Sequence, residues 1–178
     1  MTKKEFKDLI EFEIYRPYRE AKGRLTLFDR FWCKHLSPEL NALFLIRKKQ
    51  YLESLRGGIN RIRSRIIHIK LMRKYGIHIT PGTTIGRGLR IAHPTSIVIT
   101  LCKIGNNFTI YQGCTIGQKY WNSGKDPEIG NEVTMYANSS IIGNVNVADG
   151  VILGANSLLI KDANEKGVYV GSPAKLLK

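Results

Sequence analysis

The chain has 178 residues, enough for one domain or for one domain with a small attachment, and 43% of them are hydrophobic, which excludes a disordered polymer. Its formal net charge is +14, and no apolar run approaches the ~20 residues that a membrane span needs. The first twenty residues carry acids and bases where a signal peptide would have an apolar core, so we expect a cytoplasmic protein.

The basic charge is concentrated in the first part of the chain. Residues 1–78 hold 19 Lys and Arg against 8 Asp and Glu, whereas residues 79–178 hold 9 against 6. Apolar residues at helical spacing predict helices around residues 3–15 and 38–55, the second of them started by Ser37-Pro38-Glu39. We therefore expect a basic α-helical region over residues 1–76.

A basic amphipathic helix is predicted within the stretch "GINRIRSRIIHIKLMRKY". Its isoleucines, Ile59, Ile62, Ile66 and Ile69, recur at i, i+3, i+7 and i+10 among arginines and lysines. Three interpretations stay open: a helix that packs on its own domain by the isoleucine face, a peripheral contact with an anionic membrane surface, and nucleic-acid binding. The last is disfavoured because no recognition motif or aromatic stacking pattern accompanies the charge.

From residue 77 onward the texture of the sequence changes to a repeat. Aliphatic residues or methionine recur at a spacing of six, broken once by one extra residue and once by a longer interruption, at Ile79, Ile85, Ile91, Ile97, Ile104, Ile110, Ile116, Ile129, Met135, Ile141, Val147, Leu153 and Leu159. A helix of 3.6 residues per turn cannot use a period of six, but short strands joined by tight turns can. The repeat predicts a mainly β domain over residues 77–178, a parallel β-solenoid.

This repeat resembles the hexapeptide of the left-handed β-helix acyltransferases. The segments "LRIAHPTSIVI", "IGNNFTIYQGCTIG" and "IIGNVNVADGVILGANSLLIKD" and the closing "VGSPAK" are similar to serine acetyltransferases and to bacterial polysaccharide O-acetyltransferases. The resemblance implies a left-handed crossover, against the general right-handed rule for parallel strands. It also implies a homotrimer, with acetyl-CoA and the acceptor meeting in a groove between neighbouring solenoids.

His93 is the candidate general base. It follows the repeat residue Ile91 by two positions, where the neighbouring repeats have other residue types, so the solenoid itself does not require an imidazole. In the resembling family a histidine at this place removes the proton of the acceptor hydroxyl, and imidazole suits that task near neutral pH. Gly117 is a candidate backbone N–H donor to the oxyanion, because its amide lacks a side chain that would hinder approach.

Further site residues follow from the resemblance alone. Positions that match acetyl-CoA contacts are the small or aliphatic Ala137, Ala155 and Ile160 and the basic Lys161 and Lys175, whose charges suit phosphates. His78 occupies the position of the aspartate that orients the base in serine acetyltransferases, and Ala92 replaces an aspartate beside the base. Three cysteines without a CxxC spacing predict neither a disulfide framework nor a metal site.

The expected acceptor is a sugar hydroxyl. The family's Arg-His-Pro is replaced by Lys125-Asp126-Pro127, and the same loop offers Tyr120 and Trp121, which can stack on sugar faces, and Asp126, which can accept hydroxyl hydrogen bonds. We therefore predict an acetyl-CoA-dependent O-acetyltransferase that acts on a surface-polysaccharide precursor. A lipid-linked acceptor would fit peripheral contact of the basic helix with the inner membrane surface. The alternatives are a serine O-acetyltransferase and a non-catalytic solenoid scaffold.

Overall fold

The computed structural model describes residues 1–55, 57–118 and 126–177. Within these residues the chain forms two compact units, Met1–Tyr75 and Gly76–Lys178. The first is helical and the second is a β-solenoid. None of the helices in the described ranges combines the length and the apolar character that a membrane crossing requires.

Five α-helices and one π-helical turn make up the helical unit over its described residues. The helices are α1 (Lys3–Ile10), α2 (Arg16–Lys22), α3 (Leu27–His35), α4 (Pro38–Ser54) and α5 (Gly58–Tyr75), and the π-helical turn, Glu11–Tyr15, joins α1 to α2. The Ser37 side chain caps α4 by accepting a hydrogen bond from the Leu40 N–H at 3.4 Å, with Pro38 in the first turn. This confirms the start predicted from Ser37-Pro38-Glu39.

Helix α4 supplies more buried apolar side chains than any other helix among the described residues of the helical unit. It buries Ala42, Leu43, Leu45, Ile46 and Leu52. Charged groups lie among these apolar side chains: the Arg47 guanidinium donates to both carboxylate oxygens of Glu13 at 2.8 and 2.6 Å, and both side chains are only 1% exposed. The buried Lys49 pairs with Glu53 at 2.7 Å on the same helix.

Helix α5 packs by the face opposite to its four isoleucines, Ile59, Ile62, Ile66 and Ile69. Ser64, Ile67, Leu71 and Tyr75 are buried, and the Tyr75 hydroxyl donates to the Asn41 side-chain oxygen at 2.7 Å. The four isoleucines at helical spacing remain 48–75% exposed. The interpretation in which this isoleucine face packs on its own domain is therefore wrong, because the second apolar face of the helix occupies that contact with α4.

Fifteen short strands form the solenoid over its described residues. They are β1 (His78–Ile79), β2 (Thr84–Ile85), β3 (Arg90–Ile91), β4 (Val98–Ile99), β5 (Lys103–Ile104), β6 (Thr109–Ile110), β7 (Thr115–Gly117), β8 (Glu128–Ile129), β9 (Thr134–Met135), β10 (Ser140–Ile142), β11 (Asn146–Val147), β12 (Ile152–Leu153), β13 (Leu158–Leu159), β14 (Val168–Gly171) and β15 (Ala174–Leu176).

These strands stack into three sheets, and each turn of the coil contributes one strand to each sheet. The first sheet has the order β1-β4-β7-β10-β13, the second β11-β8-β5-β2, and the third β15-β14-β12-β9-β6-β3. All pairs are parallel except the terminal β14–β15 pair. The last residue of a strand usually points into the core, which explains why an aliphatic residue recurs every sixth position.

The register differs from the expected repeat at one point. The ladder of the first sheet pairs Ile79 with Ile99 and Ile99 with Ile116, so Ile99 and not Ile97 is the repeat residue of its coil. Ile99 follows Ile91 by eight positions, and Ile104 follows Ile99 by five, whereas the regular spacing is six. The sequence predicted a single extra residue after Ile97, but the structure has a two-residue expansion of the turn before Ile99 and a shortened turn after it.

In the turns from the second to the third sheet, Gly86 and Gly105 are glycine for steric reasons. A Cβ added at Gly86 would lie 2.6 Å from the Gly105 carbonyl oxygen, and one added at Gly105 would lie 2.7 Å from the Gly130 backbone. A side chain at either position would clash with the next coil. This close approach explains the glycines after the repeat residues Ile85 and Ile104.

Candidate functional site

The expanded turn carries His93. We call the stacked turns that follow the third sheet and precede the first sheet the histidine corner; they comprise residues 92–97, 111–114, 136–139 and 154–157. The imidazole of His93 is exposed, and the His93 backbone has φ 53°, a left-handed conformation uncommon for a residue other than glycine. Its carbonyl accepts a hydrogen bond from the Thr95 N–H at 2.7 Å. His93 thus lies in a turn two residues longer than the turns stacked on it.

Two tyrosines and a glutamine lie on the coils stacked next to this turn. Ladder pairing of Ile91, Ile110 and Met135 places Ala92, Tyr111 and Tyr136 in successive coils, and the two tyrosine rings have centroids 5.0 Å apart. The Gln112 side-chain oxygen is buried and has no hydrogen-bond partner in the described part of the chain. Leaving such an oxygen unpaired is unfavourable.

Sequence reasoning did not identify Gln112. The sequence does show that the next two coils carry alanine, Ala137 and Ala155, at the position of Gln112. The backbone hydrogen bonds agree: the Asn138 N–H donates to the Gln112 carbonyl at 2.9 Å, and the Asn156 N–H donates to the Ala137 carbonyl at 2.9 Å. Gln112 is a long amide where the two following coils have alanine, and the preceding coil has His93 there. What the sequence does not show is that the Gln112 side-chain oxygen is buried without a partner among the described residues.

The predicted acetyl-CoA residues fall into separate groups. Ala137 and Ala155 stack on each other in the histidine corner. Ile160 and Lys161 are exposed in the turns between the first and second sheets, whose described residues we call the loop corner (residues 100–102, 118, 126–127, 143–145 and 160–163). Lys175 is exposed on β15, where it pairs with Val170.

Gly117 belongs with the loop corner. It is the buried last residue of β7, and an added Cβ would lie 3.1 Å from the Ile142 side chain. The strands of the first sheet therefore separate Gly117 from the turn that carries His93 in the same chain. Within one chain His93, Ala137 and Ala155 lie in the histidine corner, on its first, third and fourth stacked turns, whereas Gly117, Ile160 and Lys161 lie at or just after the ends of strands of the first sheet.

His78 begins the first strand of the solenoid. It is half-buried, it pairs with Val98, and its backbone N–H donates to the Ile97 carbonyl at 2.8 Å. Ile97 closes the turn that contains His93. The two histidines thus lie on consecutive coils that are joined by backbone hydrogen bonds.

Of the predicted acceptor residues, only Asp126 lies within the described residues. Tyr120, Trp121 and Lys125 lie outside them. The Asp126 carboxylate is half-buried and accepts a hydrogen bond from the Gln118 side-chain amide, which joins the two ends of the loop. Its negative charge, together with the larger effect of burial, raises the pKa of the Cys102 thiol to about 12.

Cys114 lies in the core and not in the site. Its side chain is fully buried, and its sulfur lies 3.1 Å from the Tyr136 carbonyl oxygen and 3.5 Å from the Ser139 hydroxyl. The described residues hold no group of three histidine, cysteine or acidic side chains placed to bind a metal ion. The histidine corner places an exposed imidazole, a tyrosine pair and a buried amide on neighbouring coils.

The fold and the repeat define a left-handed parallel β-helix of the hexapeptide type, preceded by a helical unit. Comparison with known proteins leads to serine acetyltransferases. The chain is 41% identical over 105 residues to a serine acetyltransferase of Staphylococcus epidermidis. The aligned segment covers 58% of this chain and 49% of that protein. The chain thus spans about half the length of the curated relatives it matches. No protein-family profile matches it.

Solved structures of serine acetyltransferases share the whole fold. The soybean enzyme complexed with serine superposes with a TM-score of 0.78 at 23% identity, covering 97% of this chain and 69% of its own. A serine acetyltransferase in complex with CoA gives 0.77 at 22% identity, covering 98% of this chain and 71% of its own. The relatives support the resemblance to hexapeptide-repeat acetyltransferases, and these structures share its fold; none of them supports the polysaccharide subtype.

The predicted sugar acceptor is wrong. The relative that is 41% identical to this chain is a serine acetyltransferase and not a sugar acetyltransferase. The prediction rested on the replacement of a few loop residues, and losing one set of recognition residues does not create another. Asp126, offered as a partner for sugar hydroxyls, already has one carboxylate oxygen bonded to Gln118.

Proposed function

We propose that this protein transfers the acetyl group of acetyl-CoA to the hydroxyl of L-serine, with His93 as the general base. The observation that carries the proposal is the exposed imidazole of His93, set in a two-residue expansion of one coil of a solenoid that is 41% identical over 105 residues to a serine acetyltransferase. The scaffold alternative leaves this expansion without a purpose.

The proposed reaction is a direct transfer. His93 takes the proton from the serine hydroxyl as its oxygen attacks the thioester carbonyl, because a neutral hydroxyl is a poor nucleophile. The tetrahedral intermediate collapses with cleavage of the carbon–sulfur bond, and the imidazolium returns the proton to the CoA thiolate. Backbone N–H groups, with Gly117 as the candidate, stabilise the oxyanion.

The donor residues fit a CoA molecule by size and charge. Ala137 and Ala155 present backbone with little side chain, against which a pantetheine arm can lie. Lys161 and Lys175 are both exposed, so their ammonium groups are accessible to phosphates. Ile160, 47% exposed beside Lys161, offers apolar contact.

His78 is the proposed positioning residue for the base. Serine acetyltransferases resemble this chain except that an acid stands at this position and another beside the base, where this chain has His78 and Ala92. His78 is joined by its backbone to the end of the His93 turn, so its placement is coupled to that turn. Removing it should alter the pH dependence of turnover more than the affinity for acetyl-CoA.

We further propose that the active assembly is a homotrimer. His93 and the group of Gly117, Ile160 and Lys161 lie at different corners of one chain. A neighbouring copy that docks one corner against the other would complete the site, and a closed ring of three satisfies such a head-to-tail contact. Its use of acetyl-CoA and its three buried thiols fit a cytoplasmic enzyme.

The test follows CoA thiol release from acetyl-CoA with L-serine and, separately, with a panel of sugars. We expect turnover with serine, and a loss of about 10²–10⁴ in kcat for His93→Ala. Thr95→Ala, an exposed change in the same turn, is the matched control and should retain activity. Turnover with sugars alone, or full activity of His93→Ala, would overturn the proposal.

A further inference from the structure

Helix α5 has two apolar faces, and only one of them is buried against the rest of the described chain. Ser64, Ile67, Leu71 and Tyr75 are buried, whereas Ile59, Ile62, Ile66 and Ile69 are 75%, 60%, 59% and 48% exposed on the opposite side. Met72, 46% exposed, extends this surface. We call these five residues the isoleucine stripe. A contiguous exposed stripe of large aliphatic side chains is a typical mark of an interaction site.

The charges along α5 all have one sign. The helix contains no aspartate or glutamate, and it carries Arg61, Arg63, Arg65, Lys70, Arg73 and Lys74. At 100° per residue, Arg73 lies in line with the four isoleucines at the C-terminal end of the helix. Arg63 and Lys70 flank the isoleucines on one side, and Arg61 and Arg65 flank them on the other. No acid in the part of the chain that the structure describes forms an ion pair with these four residues. The stripe thus has a positive rim on both sides.

We propose that the isoleucine stripe docks in the plane of an anionic lipid surface. A helix with an apolar face, basic rims and no acidic residues inserts its apolar side chains at the headgroup boundary while its cations contact anionic headgroups. The same charges disfavour pairing of α5 with α5 of a second copy, because two helices that carry six cations and no acids repel each other. The stripe contains no aromatic residue, which disfavours base stacking with nucleic acid. This proposal is independent of the acetyl-transfer function.

The experiment is flotation of the full-length protein with vesicles. One set is phosphatidylcholine alone, and the other contains one part phosphatidylglycerol to three parts phosphatidylcholine. We expect the protein to float with the anionic vesicles only, and less at high salt because screening weakens the attraction of the rim for the headgroups. Failure to float with anionic vesicles at low salt overturns the proposal.

Paired variants distinguish the contributions of the isoleucine stripe and of its basic rim to vesicle binding from those of the rest of the surface. Ile62→Ser with Ile66→Ser removes apolar contact, and we expect binding to fall at least about tenfold, given the transfer free energy of such side chains. Arg63→Gln with Arg65→Gln should weaken binding about fivefold per charge, from about 1 kcal/mol per basic residue at an anionic surface.

Matched controls place the same changes elsewhere on the helical unit. Leu27→Ser with Phe28→Ser removes side chains that are 88% and 67% exposed on α3, and Lys3→Gln with Lys4→Gln removes two exposed cations of α1. Both control pairs should bind like the unaltered protein. Equal losses in the control pairs would overturn the proposal. So would sedimentation in which only the stripe variant loses a self-associated form, because a second copy would then be the occupant.

Discussion

At the scale of single residues, burial determines what the three cysteines can do. Cys33, Cys102 and Cys114 are free thiols and all are buried. Desolvation raises the pKa of Cys33, and burial with the nearby Asp126 charge raises that of Cys102 to about 12. Because the thiolate is the reactive form, a buried thiol of high pKa is a poor nucleophile. A covalent acetyl-cysteine route is therefore disfavoured relative to direct transfer.

We predict that none of the three thiols reacts with Ellman's reagent at pH 8 in the folded protein, while all three react after unfolding in guanidinium. With a pKa of about 12, only about one Cys102 in ten thousand is ionised at that pH. The measurement is thiol titration by absorbance. Rapid reaction of one equivalent in the folded protein would contradict the core placement and reopen a role for a cysteine.

The buried Glu13–Arg47 pair gives a second prediction at this scale. Glu13→Ala leaves the Arg47 guanidinium, 1% exposed, without its counter-charge, and we expect the free energy of unfolding to fall by about 3–5 kcal/mol. The double change Glu13→Leu with Arg47→Met removes both charges and should recover most of that loss. Urea unfolding followed by helical circular dichroism measures both. A double variant no more stable than Glu13→Ala would show that the apolar contacts, and not the unpaired charge, dominate.

At the scale of elements, the start of α3 depends on a carboxylate. Asp29 accepts hydrogen bonds from the Thr26 N–H at 2.9 Å and the Thr26 hydroxyl at 2.7 Å, and Thr26 in turn caps the Asp29 N–H at 3.1 Å. The hydrogen bond from Lys22, followed by those from Thr26, lowers the pKa of Asp29 from 3.8 to about 2. The capping box and the neighbouring cation thus both require the ionised form.

Acid titration tests this arrangement. A folded-state pKa below the unfolded value means that the stabilisation is complete above about pH 4 and is lost as the pH falls through 2. We expect Asp29→Asn to be less stable than the unaltered protein at pH 5 and to lose less stability between pH 5 and pH 2. Asp8→Asn, an exposed change on α1, should keep the unaltered pH slope. Parallel slopes for all three proteins would exclude Asp29 as the titrating group.

How far sequence predicts these elements depends on how many choices each pattern leaves. The solenoid could be predicted from the six-residue repeat because every coil must bury one aliphatic side chain per face. It could not place the expansion at His93, because Ile97 and Ile99 are both aliphatic and either could be the repeat residue. Helix α5 posed the same problem: both its faces are apolar, and only packing against α4 decides that Leu71 and Tyr75 are buried and the isoleucines are not. Gln112 was missed because the sequence does not show that its side-chain oxygen is buried without a partner among the described residues.

At the scale of the whole molecule, the solenoid separates functional residues that the resemblance places in one groove. Backbone hydrogen bonds between stacked coils set the register of each corner. Under the proposed function, the residues assigned to the site lie at two corners of a single chain. The proposed trimer would then have a catalytic role beyond stability, because a second copy would supply the other corner.

Mixed assemblies test this division. We predict that His93→Ala and the double variant Ile160→Glu with Lys161→Glu are each nearly inactive alone, the second because it blocks the exposed donor positions. Co-expressed in equal amounts, they should recover about a quarter of full activity, since about one in four interfaces in a randomly mixed ring pairs an intact His93 with an intact loop corner. Sedimentation should show about three times the 20.2 kDa of one chain. If both residues served the site from one chain, mixing would recover no activity, because every chain would carry one defect.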